Sequence, residues 1–404
     1  MSARVKNVLM IVPAFPPDNT SATSRPMHFA RHLAEFGYWP LVLVQSGLWS
    51  YPQDEELRAY VDGRCDVFRF APTRLDFLGL VKKPLRWCIG ALRAGLRIHR
   101  ERGVDLIWST SPSILHWYPA MGLSLITARP LVLDVRDPVT YGCLWHPKNR
   151  FQARLRRLGE RVCLSSASRI VHASPLTMKV MGERAASRVA ERMVSIPNAF
   201  SGERVAPIRD AAGRRCTFLY AGKLERRVRE PRILLEGLKI ACRDPAFGRE
   251  ACLEIAGGLG EFARDVAELD LGDSVRDLGY RPRRECLARV AGADVLVLLQ
   301  TISGLGDDVI SGKAYEYLAA RRPILGVVSS NGGDAWLLRE IGTGWITGLA
   351  NAEDVAAGFL HFWRSWRDGA LSSAGTSGDI DRFDARTLTS TLARVFDDVL
   401  DGRG

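Results

Sequence analysis

Short runs of consecutive apolar residues alternate with helical patterns along the whole chain. These runs have the length and β-branched content of buried strands, and they form two series. Continuous hydrophobicity is typical of parallel strands that helices cover on both faces. The pattern therefore predicts two doubly wound, Rossmann-like α/β domains. The predicted strands are 7–15, 39–45, 65–70, 105–110, 130–137, 168–174, 193–198, 216–222, 251–258, 275–280, 294–300 and 323–328.

The segment 200–216 divides the two series, because it is polar, carries glycine and shows no clear periodicity. A chain of 404 residues is long enough for two ordinary domains. We therefore predict an N-terminal domain over residues 1–204 and a C-terminal domain over residues 205–380. Residues 381–404 contain an amphipathic helical pattern and are predicted to pack back towards the N-terminal domain.

The composition is that of a soluble globular protein, with 47% hydrophobic and 25% charged residues. No apolar run reaches the roughly 20 residues that cross a bilayer. The first run, 7–15, is predicted to be a buried strand and not a signal peptide, so we expect a cytoplasmic protein. The eight cysteines form no C-x-x-C pair and no zinc-spaced cluster, so neither disulfides nor a structural metal is expected.

The excess of basic over acidic residues lies entirely in the first half of the chain. Residues 1–200 hold 28 basic and 15 acidic residues, whereas the remainder hold 28 and 30. The stretches 81–102 and 150–162 are dense in arginine. Each fits either a solvated face on a core helix or a basic amphipathic helix lying on anionic lipid. Nucleic acid is disfavoured as a partner, because no recognition motif is present.

Polar residues gather after the fourth strand of the second series, where a helix is predicted to begin at Ser311, Gly312 and Lys313. A helix N-terminus offers unpaired N–H donors and partial positive charge, which suit an anion. Glu316, one turn into the helix, and Asp308, in the loop, can accept hydrogen bonds from sugar hydroxyls. The alternative is an ordinary helix start with Ser311 as N-cap and Glu316 in solvent.

A second cationic group follows strand 216–222. Lys223 and Arg229 flank the start of the next helical pattern. Two cations after one strand of the same domain can clamp a diphosphate, although exposed basic residues are common.

Several motifs together resemble glycosyltransferase family 4. YAGKLERRVREP has a glycine after a strand and two spaced basic residues, and YEYLAARRPIL and SIPNAF resemble further family motifs. Asp308 and Glu316 are separated by seven residues, like the acidic pair of the family, although Asp replaces the usual Glu. The opening VPAFPPDNTSATSRPM resembles the family's first strand, Pro-Pro loop and helix. The resemblance covers nearly the whole chain.

The resemblance implies the GT-B fold, two Rossmann-like domains facing across a cleft, and retaining transfer from a nucleotide diphosphate sugar. It assigns Lys223 and Arg229 to the diphosphate and residues 311–313 to the helix-start cradle. Glu316 would bind the ribose hydroxyls, and Asp308 would bind the donor sugar as a candidate catalytic residue. Two cations and backbone donors can neutralise the leaving diphosphate, so neither metal nor cofactor is expected.

The first domain would bind the acceptor. His116 follows a strand and is a candidate catalytic residue near the reacting sugar, the alternative being a packed histidine beside Trp117. Asp137, in DVRDP, is the other candidate, able to orient an acceptor hydroxyl or take its proton. The alternative to this role is a purely structural motif, in which Asp134 pairs with Arg136.

Arg25 and Asn198 are candidate acceptor- or phosphate-binding residues. Arg25 lies in the opening loop and could instead cap the helix predicted at 24–36. Two departures from the family pattern concern this region. Residues 20–22 replace its usual Gly-Gly pair, and Ala199 ends what is usually a Pro-Asn-Gly junction.

The function predicted from these observations is a retaining hexosyl- or N-acetylhexosaminyl-transferase of surface polysaccharide biosynthesis. Its acceptor would be a glycan or a polyprenyl-pyrophosphate-linked acceptor, presented at the anionic inner face of the plasma membrane. The basic domain would associate peripherally with that face. One alternative is a nucleotide-sugar 2-epimerase of the same fold. Another is a catalytically silent GT-B module that binds a glycan or a partner transferase.

Overall fold

The computed structural model describes residues 4–46, 53–71, 83–111, 113–141, 147–203, 205–209, 215–226, 228–301, 307–371 and 379–403. Residues 81–82 of the first basic stretch and parts of the segment 200–216 lie outside these ranges. The chain forms two compact units, one of Met1–Ala199 with Phe383–Gly404 and one of Phe200–Arg382. The division at Ala199 falls a few residues before the predicted one.

The first unit is built on a seven-stranded parallel sheet in the order β3-β2-β1-β4-β5-β6-β7. Each strand corresponds to one of the apolar runs of the first series. The order reverses between β1 and β4, and ligands of such sheets bind beyond the carboxyl ends of the strands at this reversal. The strands are β1 Lys6–Ile11, β2 Tyr38–Gln45, β3 Asp66–Phe70, β4 Leu106–Ser111, β5 Leu131–Val135, β6 Arg169–His172 and β7 Met193–Ser195.

Helices connect these strands and cover both faces of the sheet. They are α1 Ser21–His32, α2 Glu55–Val61, α3 Lys83–Arg102, α4 Trp117–Thr127, α5 Arg150–Ser166, α6 Pro175–Arg184 and α7 Ser187–Ala190. Short 3-10 turns lie at Leu33–Phe36 and Ile114–His116. Thr20 caps α1 by accepting from the Ala22 N–H, so the helix predicted at 24–36 begins earlier and is not capped by Arg25.

The second unit has a six-stranded parallel sheet in the order β10-β9-β8-β11-β12-β13, which reverses between β8 and β11. Sequence did not predict its last strand, a two-residue strand at the edge of the sheet. The strands are β8 Cys216–Ala221, β9 Ala251–Ala256, β10 Val275–Gly279, β11 Val295–Gln300, β12 Ile324–Val328 and β13 Trp345–Ile346. The helices are α8 Arg232–Ala241, α9 Pro245–Glu250, α10 Ala263–Glu268, α11 Arg283–Gly292, α12 Gly312–Ala320, α13 Gly333–Ile341 and α14 Ala352–Arg367.

The last helix, α15 Ala385–Leu400, belongs to the first unit. Asp384 caps it by accepting from the N–H groups of Arg386 and Thr387. Its apolar side packs with α1 onto one face of the seven-stranded sheet, where Leu392 and Phe396 are fully buried. Helices α3, α4 and α5 cover the opposite face. None of the described helices is long and apolar enough to cross a membrane.

The contribution of α15 can be tested by Leu392→Ala. Because the side chain is fully buried, its truncation should lower the stability of the first unit by about 2–5 kcal/mol. Native-state hydrogen exchange at the amides of β1 and β2 measures this loss for the unit itself. Arg394→Ala, on the exposed side of the same helix, should change stability by no more than about 0.5 kcal/mol. Equal effects of the two variants would contradict this packing.

Candidate functional site

A buried lysine stands at the centre of the candidate site in the second unit. Lys313, in the first turn of α12, donates from Nζ to Tyr220 Oη at 3.0 Å, and Nζ lies 4.6 Å from the centre of that ring. Tyr220 Oη donates onward to the carbonyl oxygen of Lys223 at 3.0 Å. Burial, followed by the nearby charge of Arg229, lowers the pKa of Lys313 to about 7. The ammonium group thus fixes the loop after β8 relative to the start of α12.

Two glycines at strand ends make room for this lysine. Gly222 has a φ of +140°, and a Cβ there would lie 2.0 Å from Lys313 Nζ. Gly257, which follows β9, has a φ of +148°, and a Cβ there would lie 2.2 Å from the Gly222 carbonyl oxygen. Any larger residue at either position would be strained and would displace the loop or the lysine.

Asp334 belongs to the same cluster and was missed by the sequence analysis. Its Oδ1 accepts from the Ser311 N–H at 2.8 Å, whereas its buried Oδ2 has no hydrogen-bond partner among the described residues. Burial raises the pKa of this carboxyl to about 7, and the Ser311 N–H and the charges of Arg229 and Lys313 oppose the rise. The available signal was SSNGGD, a polar stretch directly after β12.

The start of α12 is open to a ligand. Ser311 precedes the helix, but its side chain makes no capping hydrogen bond, so the predicted capping role is wrong. A Cβ added at Gly312 would meet no atom within 4 Å. The N–H groups of Gly312 and Lys313 have no acceptor in a preceding turn and point outwards along the helix axis, whereas the Ala314 N–H donates to the Ser311 carbonyl oxygen at 3.1 Å. An anion therefore has both space and donors at this position.

The structure places Arg229 near this helix start and leaves Lys223 in solvent. Arg229 is half-buried, with its side chain 3.6 Å from Glu225 Oε2, and its charge acts on both Lys313 and Asp334. The side chain of Lys223 is exposed, and its backbone carbonyl accepts the hydrogen bond from Tyr220. Of the two cations predicted to hold a diphosphate, Arg229 therefore lies in the cluster and Lys223 does not.

Glu316 is held in a specific orientation. Its Oε1 accepts from Arg283 Nη1 at 2.7 Å, and the two side chains are only 25% and 15% exposed. The alternative of a solvated Glu316 is therefore wrong. Arg283 opens α11 and was not predicted, since one arginine among many gives no sequence signal. Asp308 is buried in the turn at 307–308.

In the first unit, His116 ends a 3-10 turn after β4 and is half-buried. Its Nδ1 lies 3.1 Å from the Ser113 carbonyl oxygen, which can only accept, so Nδ1 carries the hydrogen and Nε2 the lone pair. The ring packs edge-to-face on Trp87 at 4.7 Å. Burial lowers the pKa of His116 to about 4, so the imidazole is neutral at pH 7.

Asp137 is buried just after β5, the strand beside β4. Its Oδ2 accepts from Arg136 Nε at 3.0 Å, and Arg136 Nη1 donates to the Ser21 carbonyl oxygen at 3.0 Å. The structural pair of Asp134 with Arg136 is therefore wrong. Arg136 leaves the sheet where β5 ends and pairs with Asp137, joining this loop to the start of α1.

Asp134 instead pairs with Arg25, and both are buried. Arg25 donates from Nε and Nη2 to the carboxylate at 2.7–3.1 Å, and from Nη1 to the Pro197 carbonyl at 2.8 Å and to Asn198 Oδ1 at 3.4 Å. Thr110 Oγ1 completes the set by donating to Asp134 at 2.5 Å. Protein acceptors thus occupy the donors of Arg25, which disfavours the predicted phosphate contact for this residue. Asn198 uses only its Oδ1 here, so its role as an acceptor- or phosphate-binding residue stays a prediction.

Comparison with known proteins gives one family-model match and several structures of similar fold. Residues 22–199 match the family model of the glycosyl transferase 4-like domain. The HepE structure of Anabaena, in complex with UDP and glucose, is 15% identical with a TM-score of 0.69, over 97% of this chain and 100% of the other. Sucrose-phosphate synthase from Thermosynechococcus elongatus is 18% identical with a TM-score of 0.69, over 99% and 100%. No curated protein sequence matches.

These likenesses confirm the predicted GT-B fold. The fold is also shared with a structure assigned as UDP-N-acetylglucosamine 2-epimerase from Listeria monocytogenes. That structure is 9% identical with a TM-score of 0.63, over 99% of this chain and 98% of the other. The fold alone therefore does not separate transfer from epimerisation.

The pKa of Asp334 predicts a pH-dependent stability that Asp334→Asn should remove. Because the folded carboxyl has a raised pKa, the folded state binds a proton between about pH 4 and 7 that the unfolded state releases. The natural protein should therefore lose stability relative to Asp334→Asn as pH rises through this window. Urea denaturation of both proteins at pH 5 and pH 7 measures the difference. A difference in stability that is the same at both pH values would contradict the shifted carboxyl.

Proposed function

We propose that this chain, which has the GT-B fold and matches the family model of the glycosyl transferase 4-like domain over residues 22–199, transfers a sugar from a nucleotide diphosphate sugar to a glycan acceptor. The observation that carries the proposal is the cluster of Lys313, Arg229 and the open start of α12. Two cations and a helix N-terminus meet there, beyond the carboxyl ends of β8 and β11. That is the place where doubly wound sheets bind phosphorylated ligands.

A bound diphosphate would change the state of the buried lysine. Lys313 has little compensation for its charge, because its hydrogen bond goes to a neutral phenol and Arg229 is another cation. A diphosphate at the α12 start would supply the missing negative charge and raise the pKa of Lys313, so that the lysine binds a proton as the ligand binds. The same positive charge would stabilise the leaving diphosphate during transfer, which is the main catalytic demand and requires no metal in this proposal.

The nucleoside would be recognised next to the diphosphate. Arg283 holds one oxygen of Glu316, which leaves the other to accept hydrogen bonds from ribose hydroxyls. Lys223 is exposed in the loop after β8 and is proposed to turn onto the diphosphate when the donor binds. Asp308 as the donor-sugar ligand stays a prediction.

His116 and Asp137 are proposed to act on the sugars. The Nε2 lone pair of a neutral His116 can accept a hydrogen bond from a sugar hydroxyl. Asp137, oriented by Arg136, can accept one from the acceptor hydroxyl and draw away its proton. The two residues follow neighbouring strands, β4 and β5, which places both at one edge of the sheet. Retention of the anomeric configuration is part of the proposal.

The acceptor is proposed to be a polyprenyl-pyrophosphate-linked glycan in surface polysaccharide biosynthesis. The support is the charge distribution, because the basic excess lies in the half of the chain assigned to the acceptor. Such a domain would be drawn to the anionic inner face of the plasma membrane, where a lipid-linked acceptor is presented.

Thermal stabilisation by a panel of nucleoside mono- and diphosphates tests the donor site. One diphosphate nucleotide should raise the melting temperature. Arg229→Ala should weaken its binding by roughly tenfold or more, the effect of losing a charge-assisted hydrogen bond. Glu316→Gln should weaken nucleotide binding but leave inorganic pyrophosphate binding unchanged.

Arg226→Ala is the matched control, because Arg226 lies in the same loop, is exposed and pairs with Glu261. It should bind the nucleotide as the natural protein does. If Arg226→Ala and Arg229→Ala lost the same nucleotide affinity, binding would follow the overall positive charge and not a specific site that contains Arg229. If no nucleotide stabilises the protein, the donor proposal fails and a silent binding module is favoured.

A further inference from the structure

Helix α5 presents a row of apolar side chains to solvent. Four of them recur at the spacing of one helical face. Their exposures are 75% for Phe151, 56% for Leu155, 57% for Leu158 and 48% for Val162. Helix α4, which packs against α5, carries Leu125 and Ile126 in its last turn, exposed by 72% and 61%. Contiguous exposure of large apolar residues marks an interaction surface.

Arginines accompany this apolar row along its full length. Each exposed apolar residue has an exposed arginine directly before it in the chain, and none of these arginines forms an ion pair with a described carboxylate. They are Arg150, Arg154, Arg157 and Arg161. The single acidic residue of the helix, Glu160, is turned inwards and accepts from Thr140 Oγ1 at 2.6 Å. The exposed side of α5 is therefore apolar and cationic together.

The other basic stretch is of a different kind. In α3 the residues Trp87, Ala91 and Ile98 are buried in the core of the first unit. Arg93, Arg97 and Arg100 are exposed on the opposite side, and Arg97 pairs with Glu101 of the same helix. The structure thus separates two stretches that looked alike in sequence, since α3 is a core helix with a solvated face and α5 has an uncovered apolar face.

The inner side of α5 contacts the two loops assigned to the acceptor. A Cβ at Gly159 would lie 2.1 Å from Tyr118 Oη and 3.2 Å from Ile114 Cδ1, so the helix packs closely on the turn that ends in His116. The Thr140–Glu160 hydrogen bond joins α5 to the loop that carries Asp137. Whatever binds the outer side of α5 is held close to both loops.

We propose that α5 docks the protein onto an anionic lipid bilayer, lying in the plane of the surface with its apolar row inserted and its arginines on the lipid headgroups. The inference deepens the proposed function, because it rests on a lipid-linked acceptor and names the surface that would bring the acceptor loops to the bilayer. Charge complementarity selects the occupant. A second copy packed on the same face by two-fold symmetry would set arginines against arginines, which disfavours self-association.

Flotation of the full chain with vesicles tests the proposal. Binding to phosphatidylglycerol-containing vesicles should be strong and binding to pure phosphatidylcholine vesicles weak. Replacing Phe151, Leu155 and Leu158 together by serine should lower the partition coefficient by about tenfold or more. Replacing Arg150, Arg154 and Arg157 together by glutamine should lower it by on the order of a hundredfold, since each arginine contributes at an anionic surface.

The matched control replaces Arg93, Arg97 and Arg100 of α3 by glutamine, which removes the same charge from another exposed face of the same unit. It should change the partition coefficient by less than about threefold. Equal losses from the α3 and α5 charge variants would overturn the proposal, because binding would then follow net charge and not a docking helix.

Phe151→Trp gives a direct readout that keeps the helix intact. The chain already has ten tryptophans, so the emission of the natural protein on the same vesicles is subtracted. The difference spectrum should shift to shorter wavelength on phosphatidylglycerol vesicles. Binding without a shift would overturn insertion of the apolar row.

The natural protein could instead form a dimer that the triple serine variant does not form, while that variant still binds vesicles. This result would assign the exposed face of α5 to a second copy of the chain and overturn the proposal. Native-state hydrogen exchange at the amides of β1 and β2 shows that the first unit of each variant is folded. Absence of nucleotide stabilisation in the natural protein would contradict the donor proposal and not the docking one.

Discussion

The buried ammonium of Lys313 is the constraint on which the candidate site of the second unit depends. A cation without a carboxylate in hydrogen-bond contact is costly to bury, so its surroundings are specialised. Gly222 and Gly257 give it space, Tyr220 accepts its hydrogen bond, and Asp334 lies nearby as a carboxyl that burial also disfavours in its charged form. The cluster therefore lacks negative charge, and a diphosphate bound at the open start of α12 would supply it.

The first unit uses its charges differently. Arg25 and Asp134 form a buried pair that connects α1, β4, β5 and the segment after β7. The pair thereby stabilises the scaffold that carries the loops of His116 and Asp137. Loops that follow parallel strands carry the chemistry, and the strands fix where those loops begin. Helix α5 then relates these loops to a surface, because it contacts them on one side and exposes its apolar row on the other.

Much of the fold was predictable from sequence because short, continuously apolar runs that alternate with helical patterns are typical of parallel strands covered by helices on both faces. The two-residue strand β13 was not, since it is too short to leave a periodic signal. Asp334 was missed because Gly-Gly-Asp resembles a turn, and its role arises from contact with Ser311, distant in the chain. The partner of Arg136 was mispredicted because β5 ends at Val135, and beyond that point strand alternation no longer fixes side-chain direction. The sequence also could not show that the apolar face of α3 is buried whereas that of α5 is exposed, because burial of an amphipathic face depends on what packs against it.

Proton uptake on binding tests the central claim, that the buried lysine cluster receives a diphosphate. Calorimetric titration of the stabilising nucleotide near pH 8, in two buffers of different ionisation enthalpy, measures it. Lys313 is then mostly neutral, and an arriving diphosphate should raise its pKa, so the account predicts net proton uptake. Lys313→Met should remove most of this uptake, the remainder being due to Asp334, whose pKa is also about 7. Nucleotide binding of equal affinity in both proteins, with no proton exchanged in either, would contradict the account.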